Sequence, residues 1–292
     1  MKNRFDTRRS SLVYLAAAVG LGTALGLARE PGRPAAAVSV AEQPVRDSAA
    51  APAAATPVPA PALQAARAVL DGVGLESSAG EVRLRTALAA LGKQVGKQSD
   101  PDALRTAFRA YYNYKDEHPE QVRKPYLYYV DYGLDARTPR GYVFDMDRLK
   151  VVDGPFTVAH GRGSAPRGQD VPTKFSNREG SNATSLGLFL AQETYAFSGK
   201  SGGKQYRSVG LRLKGLSGRF NSAARARGVV AHGAPYVTAA RAGRSEGCPA
   251  IEPGRARELL PKIANGGLVF LFSPLEKSWK SSDPWINGGS NG

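Results

Sequence analysis

The 292-residue chain contains one cysteine and three histidines. A single cysteine cannot form an internal disulfide, so a fold stapled by disulfides is excluded. The chain also lacks a cluster of residues at metal-ligand spacing and a glycine-rich phosphate loop, so we predict no metal or nucleotide cofactor. Acidic residues are few, 25 against 40 Lys and Arg, which gives a formal net charge of +15. This surplus favours anionic partners such as an acidic cell-wall polymer, nucleic acid or anionic lipid.

The N-terminus contains an uncharged apolar run. Residues 1–29 join a basic leader to this run, as a signal peptide does, and a membrane anchor that is never removed has the same pattern. Small residues offer cleavage points after Ala28 or Ala41, and the pair Arg8–Arg9 is one element of a twin-arginine export signal. We therefore expect the bulk of the chain to work in the periplasm or cell envelope.

Composition divides the remaining chain into four parts. An Ala/Pro-rich linker comes first, followed by a region with apolar residues at helical spacing, a region of alternating strand-like segments and a short tail. The boundaries are 30–62, 63–122, 123–275 and 276–292. Many strands and few helices predict a mainly β, sandwich-like domain with a small helical N-terminal region, α+β overall. The last helical pattern, RARELLPKIANGG, is expected to break at Pro261.

The only cysteine lies in the stretch GRSEGCPAI. A nucleophilic thiol needs a nearby base or cation, an accessible turn and backbone N–H groups for the oxyanion. Gly247 permits a positive φ directly before Cys248, and His232 ends a strand-like run sixteen positions upstream. No sequence rule brings this histidine to the thiol. The alternative is a buried structural cysteine and a core histidine, since free cysteine is among the most buried residue types.

The stretch HGAPYVTAARAGRSEGCPAI resembles the catalytic domain of the murein L,D-transpeptidase family. That family places a His-Gly pair about sixteen residues before a Ser-x-Gly-Cys motif. The blocks VAHGRGS, FSNREGSNATSLGLF, GLRLKGL and FNSAARARGVVAHGAPYV resemble one branch of the family in the same order, so the resemblance extends over residues 124–273. It implies the β-sandwich-like fold of that catalytic domain.

The resemblance also implies roles for the motif residues. Cys248 would be the nucleophile, His232 the general base and acid, and Gly247 a source of oxyanion-hole amide, with Ser245 completing the motif. The reaction implied is acyl transfer on peptidoglycan stem peptides through a thioester. An amine acceptor would make the protein an L,D-transpeptidase, and water would make it an L,D-carboxypeptidase. A non-catalytic wall-binding module on the same fold is a further alternative.

Four other residues are candidates for substrate binding: Arg244, His160, Gly233 and Ser164. Arg244 can bind a carboxylate bidentately or order its own loop. His160 lies in TVAHG, which closely matches the VVAHG around His232, so His160 is a rival base or a residue of the substrate groove. The family spacing favours His232 as the base.

Two positions depart from the family pattern. Glu246 stands where the best-known members have a second histidine between Ser and Gly, and Ala250 stands where they have a polar or basic residue. Both substitutions are expected to change the wall of the site and its donor specificity. A nucleic-acid-binding function has less support, since no compact stretch interleaves basic and aromatic residues.

Overall fold

The computed structural model of the protein describes residues 75–287, apart from the side chains of residues 75–78 and 280. The chain divides into two compact units, residues 1–57 and 58–292, and all the described residues belong to the second. The predicted leader and linker therefore lie outside the described residues. Between residues 75 and 287, no helix is long and apolar enough to cross a bilayer.

Among the described residues, two α-helices precede the strands: α1, Leu75–Leu91, and α2, Ala103–Glu117. Apolar residues recur three or four positions apart along α2, so one face of this helix can be buried. Phe108 and Tyr111 on that face have no exposed surface. The Phe108 ring meets the Phe144 ring edge to face, with centroids 5.3 Å apart. The N-terminal helices therefore share one hydrophobic core with the strands that follow.

Between α2 and residue 287, twelve strands follow. In chain order they are β1 Tyr126–Asp131, β2 Gly141–Asp145, β3 Lys150–Phe156, β4 His160–Gly161, β5 Gly187–Ser201, β6 Lys204–Gly215, β7 Val230–Gly233, β8 Val237–Thr238, β9 Arg241–Ala242, β10 Arg244–Ser245, β11 Ala250–Ile251 and β12 Leu268–Phe272. Eight of them form one sheet in the order β11-β7-β6-β5-β12-β1-β2-β3. Two small sheets pair β10 with β4 and β8 with β9. The predicted mainly β fold with a helical N-terminal region is confirmed.

The centre of the large sheet is apolar on both faces. All five residues of β12, LVFLF, are buried, as expected for a strand covered from both sides. β12 pairs in parallel with β1 and antiparallel with β5. The edge formed by β7 and β11 is also parallel. That edge carries the residues of the candidate site.

Helix α3, Pro253–Ile263, packs against β6 and β7. The predicted break at Pro261 is wrong, because the helix continues through Pro261 into its last turn. Its buried residues Ala256, Leu259, Leu260 and Ile263 lie on one face. Burial of this face offsets the one backbone hydrogen bond that a proline removes.

The segment after β12 also packs on the domain. It contains a short helix, α4, Trp279–Ser282. The Trp279 side chain is buried and its Nε1 donates to the Ser273 carbonyl at 3.1 Å. Trp285 donates from Nε1 to the Leu216 carbonyl at 2.7 Å. Up to residue 287, the predicted C-terminal tail is therefore part of the folded domain.

Candidate active site

A tight turn between β10 and β11 presents Cys248. The Ser245 hydroxyl donates to the Cys248 carbonyl at 2.6 Å and accepts from the Gly247 amide at 3.2 Å. Gly247 has a φ of +125°, a conformation that other residues rarely adopt. Ser245 thus closes the turn through both of its hydrogen-bonding functions. Because the Gly247 amide is engaged with Ser245, its predicted role in an oxyanion hole requires that this bond open.

Two distant strands hold this turn from opposite sides. β10 pairs with β4, with Arg244 opposite His160. β11 pairs with β7, with Ala250 opposite His232, and the His232 amide donates to the Pro249 carbonyl at 3.3 Å. The fold therefore brings both histidine strands to the cysteine turn, a step that no local sequence pattern specifies.

Close backbone contact explains the glycine after each histidine. A Cβ on Gly161 would lie 2.8 Å from the Gly247 Cα, inside van der Waals contact with the turn. A Cβ on Gly233 would lie 2.8 Å from the Ala256 Cβ of α3. Gly233, predicted as a substrate-binding residue, is buried in this packing. The Gly233 carbonyl oxygen lies within hydrogen-bonding distance of the His232 ring.

The Cys248 thiol is half-buried. Its Sγ lies 3.9 Å from the Gly228 carbonyl oxygen and accepts a hydrogen bond from the Val230 amide. Burial raises the pKa of Cys248, while the Val230 amide and the Arg227 guanidinium lower it and the Glu246 carboxylate raises it. The net upward shift means that the resting side chain is a thiol at neutral pH.

The His232 ring is buried and held by a backbone carbonyl. Its Nδ1 lies 3.1 Å from the Gly233 carbonyl oxygen, so Nδ1 carries the hydrogen and Nε2 keeps a free electron pair. The Phe197 ring stacks on the imidazole at a centroid distance of 4.2 Å and an interplanar angle of 21°. Burial lowers the pKa of His232 to about 4, against a smaller upward effect of the Gly233 carbonyl. The ring is therefore neutral at pH 7 and can accept a proton at Nε2.

His160 has the opposite hydrogen-bonding pattern. Its Nδ1 lies 3.0 Å from Nη2 of Arg140, which can only donate, so Nε2 carries the hydrogen. That Nε2 is buried and has no hydrogen-bond partner among the described residues. Burial, and then the Arg140 charge, lower the pKa of His160 to about 3. With no exposed surface and no free electron pair, His160 has neither the access of a groove residue nor the chemistry of a base.

Arg140 is itself fully buried. Its guanidinium donates to the carbonyls of Leu134 and Val158, the latter at 2.8 Å from Nη2. It also lies over the Tyr132 ring, with Cζ 4.7 Å from the centroid. Burial lowers the pKa of Arg140 to about 10, so it is still cationic at neutral pH. Through these contacts, Arg140 holds His160 and the segment that precedes it in place.

The two remaining predicted substrate-binding residues order loops in the structure. Ser164 has no exposed surface, and its hydroxyl accepts from the Thr184 amide at 2.8 Å. The Arg244 guanidinium donates to the carbonyls of Ala165 and Pro166 at 2.9 and 2.8 Å and to that of Gln169. Of the two alternatives for Arg244, loop ordering is therefore the one with structural support.

The two departures from the family pattern occupy different environments. Glu246 is exposed and its carboxylate accepts from Nε of Arg162 at 2.6 Å. Ala250 is fully buried in a small apolar cluster with Ala159 and Ala234. Only Glu246 can therefore meet a ligand directly.

Sequence reasoning missed two groups that interact electrostatically with the thiol. Four tyrosines lie close enough that, after burial, a charge on Cys248 raises their pKa values further: Tyr132, Tyr195, Tyr206 and Tyr236. All four therefore retain O–H donors at neutral pH. The second group is Arg227, whose charge lowers the pKa of Cys248. Its segment, ARARG, is indistinguishable in sequence from an exposed basic turn.

Chemically, the site combines a thiol on a glycine turn, a neutral imidazole anchored by a carbonyl, and several N–H and O–H donors. This set can support nucleophilic acyl transfer. Among residues 75–287, no group of three His, Cys, Asp or Glu side chains is arranged to hold a metal ion. The absence of a cofactor stays a prediction.

Fold and site together define a class, the cysteine-bearing β domains suited to acyl transfer. A family model described as L,D-transpeptidase catalytic domain matches residues 96–272, more than half of the chain. The protein belongs to this family, as the sequence resemblance predicted. No protein of curated function matches the chain.

Solved structures of L,D-transpeptidases are also similar to the chain. One from Mycobacterium smegmatis is 15% identical, with a TM-score of 0.29 over 51% of this chain and 58% of that one. L,D-transpeptidase 3 from Mycobacterium tuberculosis and an L,D-transpeptidase from Xylanimonas cellulosilytica are each 14% identical, with TM-scores of 0.30 over 51% of this chain and 61% of theirs. The chain thus spans less than two thirds of the length of these structures.

Proposed function

We propose that the protein is an exported peptidoglycan L,D-transpeptidase that acts through a thioester on Cys248. The observation that carries this proposal is the pairing of β7 with β11. That pairing sets His232, with Nε2 free, on the strand next to the one that Cys248 leads into. Membership of the family supports peptidoglycan stem peptides as the substrate.

In the first step, Sγ attacks the carbonyl carbon that joins the L-centre of a diamino acid to D-alanine. The Cys248 thiol and the His232 imidazole both start neutral, because burial raises the pKa of Cys248 and lowers that of His232. The proton therefore moves from Sγ to Nε2 of His232 as the S–C bond forms, rather than from a preformed ion pair. The carbonyl oxygen becomes an oxyanion, for which backbone N–H groups and the hydroxyls of Tyr195, Tyr206 and Tyr236 are candidate donors, since the Tyr132 hydroxyl already donates to the Ala159 carbonyl at 2.9 Å.

In the second step, the tetrahedral intermediate collapses. The C–N bond breaks, and the imidazolium of His232 gives its proton to the departing amine of D-alanine. The thioester that forms stores the acyl group without oxidation or reduction. An amine from a second stem peptide then attacks the thioester carbonyl and loses a proton to His232, and the thiol is regenerated when the C–S bond breaks.

Export is the second part of the proposal. It is supported by the basic leader and apolar run of residues 1–29 and by the location of the substrate outside the cytoplasm. Cell fractionation tests it. The full chain is expected in the envelope fraction, and a chain without residues 2–29 in the cytoplasm. An equal distribution of the two forms would contradict export.

The activity is tested with the full-length protein, a disaccharide-tetrapeptide and chromatography of the products under reducing conditions. Wild type is expected to release D-alanine and form a cross-linked dimer. Cys248→Ala is expected to do neither while keeping the circular dichroism spectrum of wild type.

Two outcomes would overturn the proposal in different ways. Release of D-alanine with tripeptide as the only muropeptide product would replace the transpeptidase with an L,D-carboxypeptidase. No product from folded wild type, together with binding to intact sacculi, would favour the wall-binding module.

A further inference from the structure

Arg227 is a half-buried cation beside the cysteine turn that the mechanism above does not use. Its guanidinium Nη1 donates to the Ser176 carbonyl at 2.7 Å and to the Ser185 hydroxyl. Its Nη2 donates to the Ala183 carbonyl at 3.0 Å and to the Ser181 hydroxyl at 3.2 Å. All four acceptors are neutral, so among the described residues these hydrogen bonds leave the positive charge uncompensated.

The guanidinium also faces the turn that carries the nucleophile. Its Nη2 lies 3.7 Å from the point where a Cβ on Gly247 would stand, and the Ala183 carbonyl oxygen that it holds lies 3.0 Å from the same point. The next residue, Gly228, has its carbonyl oxygen 3.9 Å from the Cys248 Sγ. The segment that begins at Arg227 therefore lies beside the turn, and its Gly228 carbonyl oxygen approaches the sulfur.

These contacts decide between two roles for the arginine. Binding a substrate carboxylate would need free N–H groups in the guanidinium fork. Both terminal nitrogens of Arg227 are already committed to the 176–185 loop, so the side chain is fixed rather than available. A fixed charge next to a poorly hydrated thiol acts more strongly than the same charge in water, since the surrounding dipoles need not reorganise.

We propose that Arg227 is a positioning residue with an electrostatic function. It ties the 176–185 loop against the cysteine turn and supplies the positive charge that stabilises the negative charge developing on the Cys248 sulfur as it loses its proton. The proposal rests on the proposed function only in taking Cys248 as the nucleophile.

Several other groups act on the same thiol. Burial raises the pKa of Cys248, and Glu246, two residues before it in the same turn, opposes the effect of Arg227. The charge of Glu179 acts on Arg227 and raises its pKa, against the larger lowering effect of burial. The remaining titratable groups near the thiol are His232, which is neutral, and the four tyrosine hydroxyls Tyr132, Tyr195, Tyr206 and Tyr236. Among the cations, removal of Arg227 should therefore change the ionisation of Cys248 most.

The single cysteine allows a direct test without any peptidoglycan substrate. The rate of alkylation by iodoacetamide is measured against pH for the full-length protein, and the midpoint reports thiolate formation. In Arg227→Gln, which keeps N–H donors but loses the charge, the midpoint should rise by roughly one pH unit and the rate at pH 7 should fall about tenfold. Arg227→Lys should keep a midpoint near that of wild type, even if its melting temperature falls.

The matched control is Arg225→Gln, two residues away. The Arg225 guanidinium pairs with the exposed Glu193, so this variant loses the same charge without changing the midpoint. An unchanged midpoint in folded Arg227→Gln would overturn the proposal and leave Arg227 a structural residue.

Should Arg227→Gln fail to fold, Arg227→Lys decides. A midpoint within about 0.3 units of wild type supports the proposal, and a rise of a full unit despite the retained charge overturns it. Because alkylation needs no stem peptide, this result is independent of the failure or success of the transpeptidase assay.

Discussion

The segments 157–161 and 229–233, which end in β4 and β7, have nearly the same sequence, TVAHG and VVAHG, and β4 and β7 hold the same cysteine turn from opposite sides. What differs is the group that meets Nδ1. A carbonyl accepts from His232 and leaves its Nε2 free, whereas Arg140 donates to His160 and consumes the electron pair that a base would need. The partner of one ring nitrogen, rather than the local sequence, therefore decides which histidine can move a proton.

The largest effect should separate the two histidines by activity. His232→Gln is expected to lower kcat for the tetrapeptide about 1000-fold, the usual contribution of a general base, with the fold intact. His160→Gln should lower kcat less than tenfold at a temperature where the variant is folded, because His160 has no path to the proton. Steady-state kinetics of both variants measures these losses. Equal losses in kcat would contradict the assignment of His232, rather than His160, as the general base.

The second-largest effect is expected on the free energy of unfolding when Arg140, which holds His160 in place, is replaced. Arg140→Met should lower the free energy of unfolding by about 3 kcal/mol, since buried carbonyls at Leu134 and Val158 lose their donor. Denaturant titration measures this loss. Arg148→Met, which removes an arginine whose side chain is 80% exposed, is the control and should cost less than about 0.5 kcal/mol. A loss below about 1 kcal/mol in Arg140→Met would contradict an anchoring role.

The free energy of unfolding should depend on pH because both histidines are buried. The pKa of His232 is lowered to about 4 and that of His160 to about 3, from an ordinary value of 6.5. Between pH 6.5 and these values the unfolded chain binds more protons than the folded one, so stability is full above pH 6.5 and falls as the pH drops towards 4. Denaturant titrations from pH 7.5 to 4.5 should show this decline.

Because the folded pKa values of His160 and His232 both lie below pH 4.5, His160→Gln and His232→Gln should each flatten that decline by a similar amount. Identical slopes in wild type and both variants would show that neither histidine is buried in its neutral form.

The smallest effect is expected at the exposed departure from the family pattern. Removing the charge in Glu246→Gln should lower the alkylation midpoint of Cys248 by less than about half a pH unit, because solvent screens this carboxylate. Glu252→Gln, an exposed acid four residues beyond the cysteine, should leave the midpoint unchanged. A rise of the midpoint in Glu246→Gln would reverse the assigned sign.

Part of this architecture could be predicted from the sequence. The alternating and fully apolar runs indicate strands, and the resemblance of the stretch from His232 to Cys248 to the family motif implies one site. Sequence could not distinguish His160 from His232, because Arg140 and the Gly233 carbonyl act through tertiary contacts. It could not find Arg227 either, since the acceptors that bury its guanidinium lie more than forty residues earlier in the chain.

The central claim is that Cys248 carries the acyl group during turnover. The most direct measurement is intact-protein mass spectrometry of the full-length protein, quenched in acid seconds after mixing with disaccharide-tetrapeptide, followed by mapping of the modified peptide. We expect an added mass equal to the disaccharide-tripeptide acyl group on the peptide that contains Cys248, and none in Cys248→Ala. Turnover without any adduct on Cys248, or the same adduct in Cys248→Ala, would contradict it.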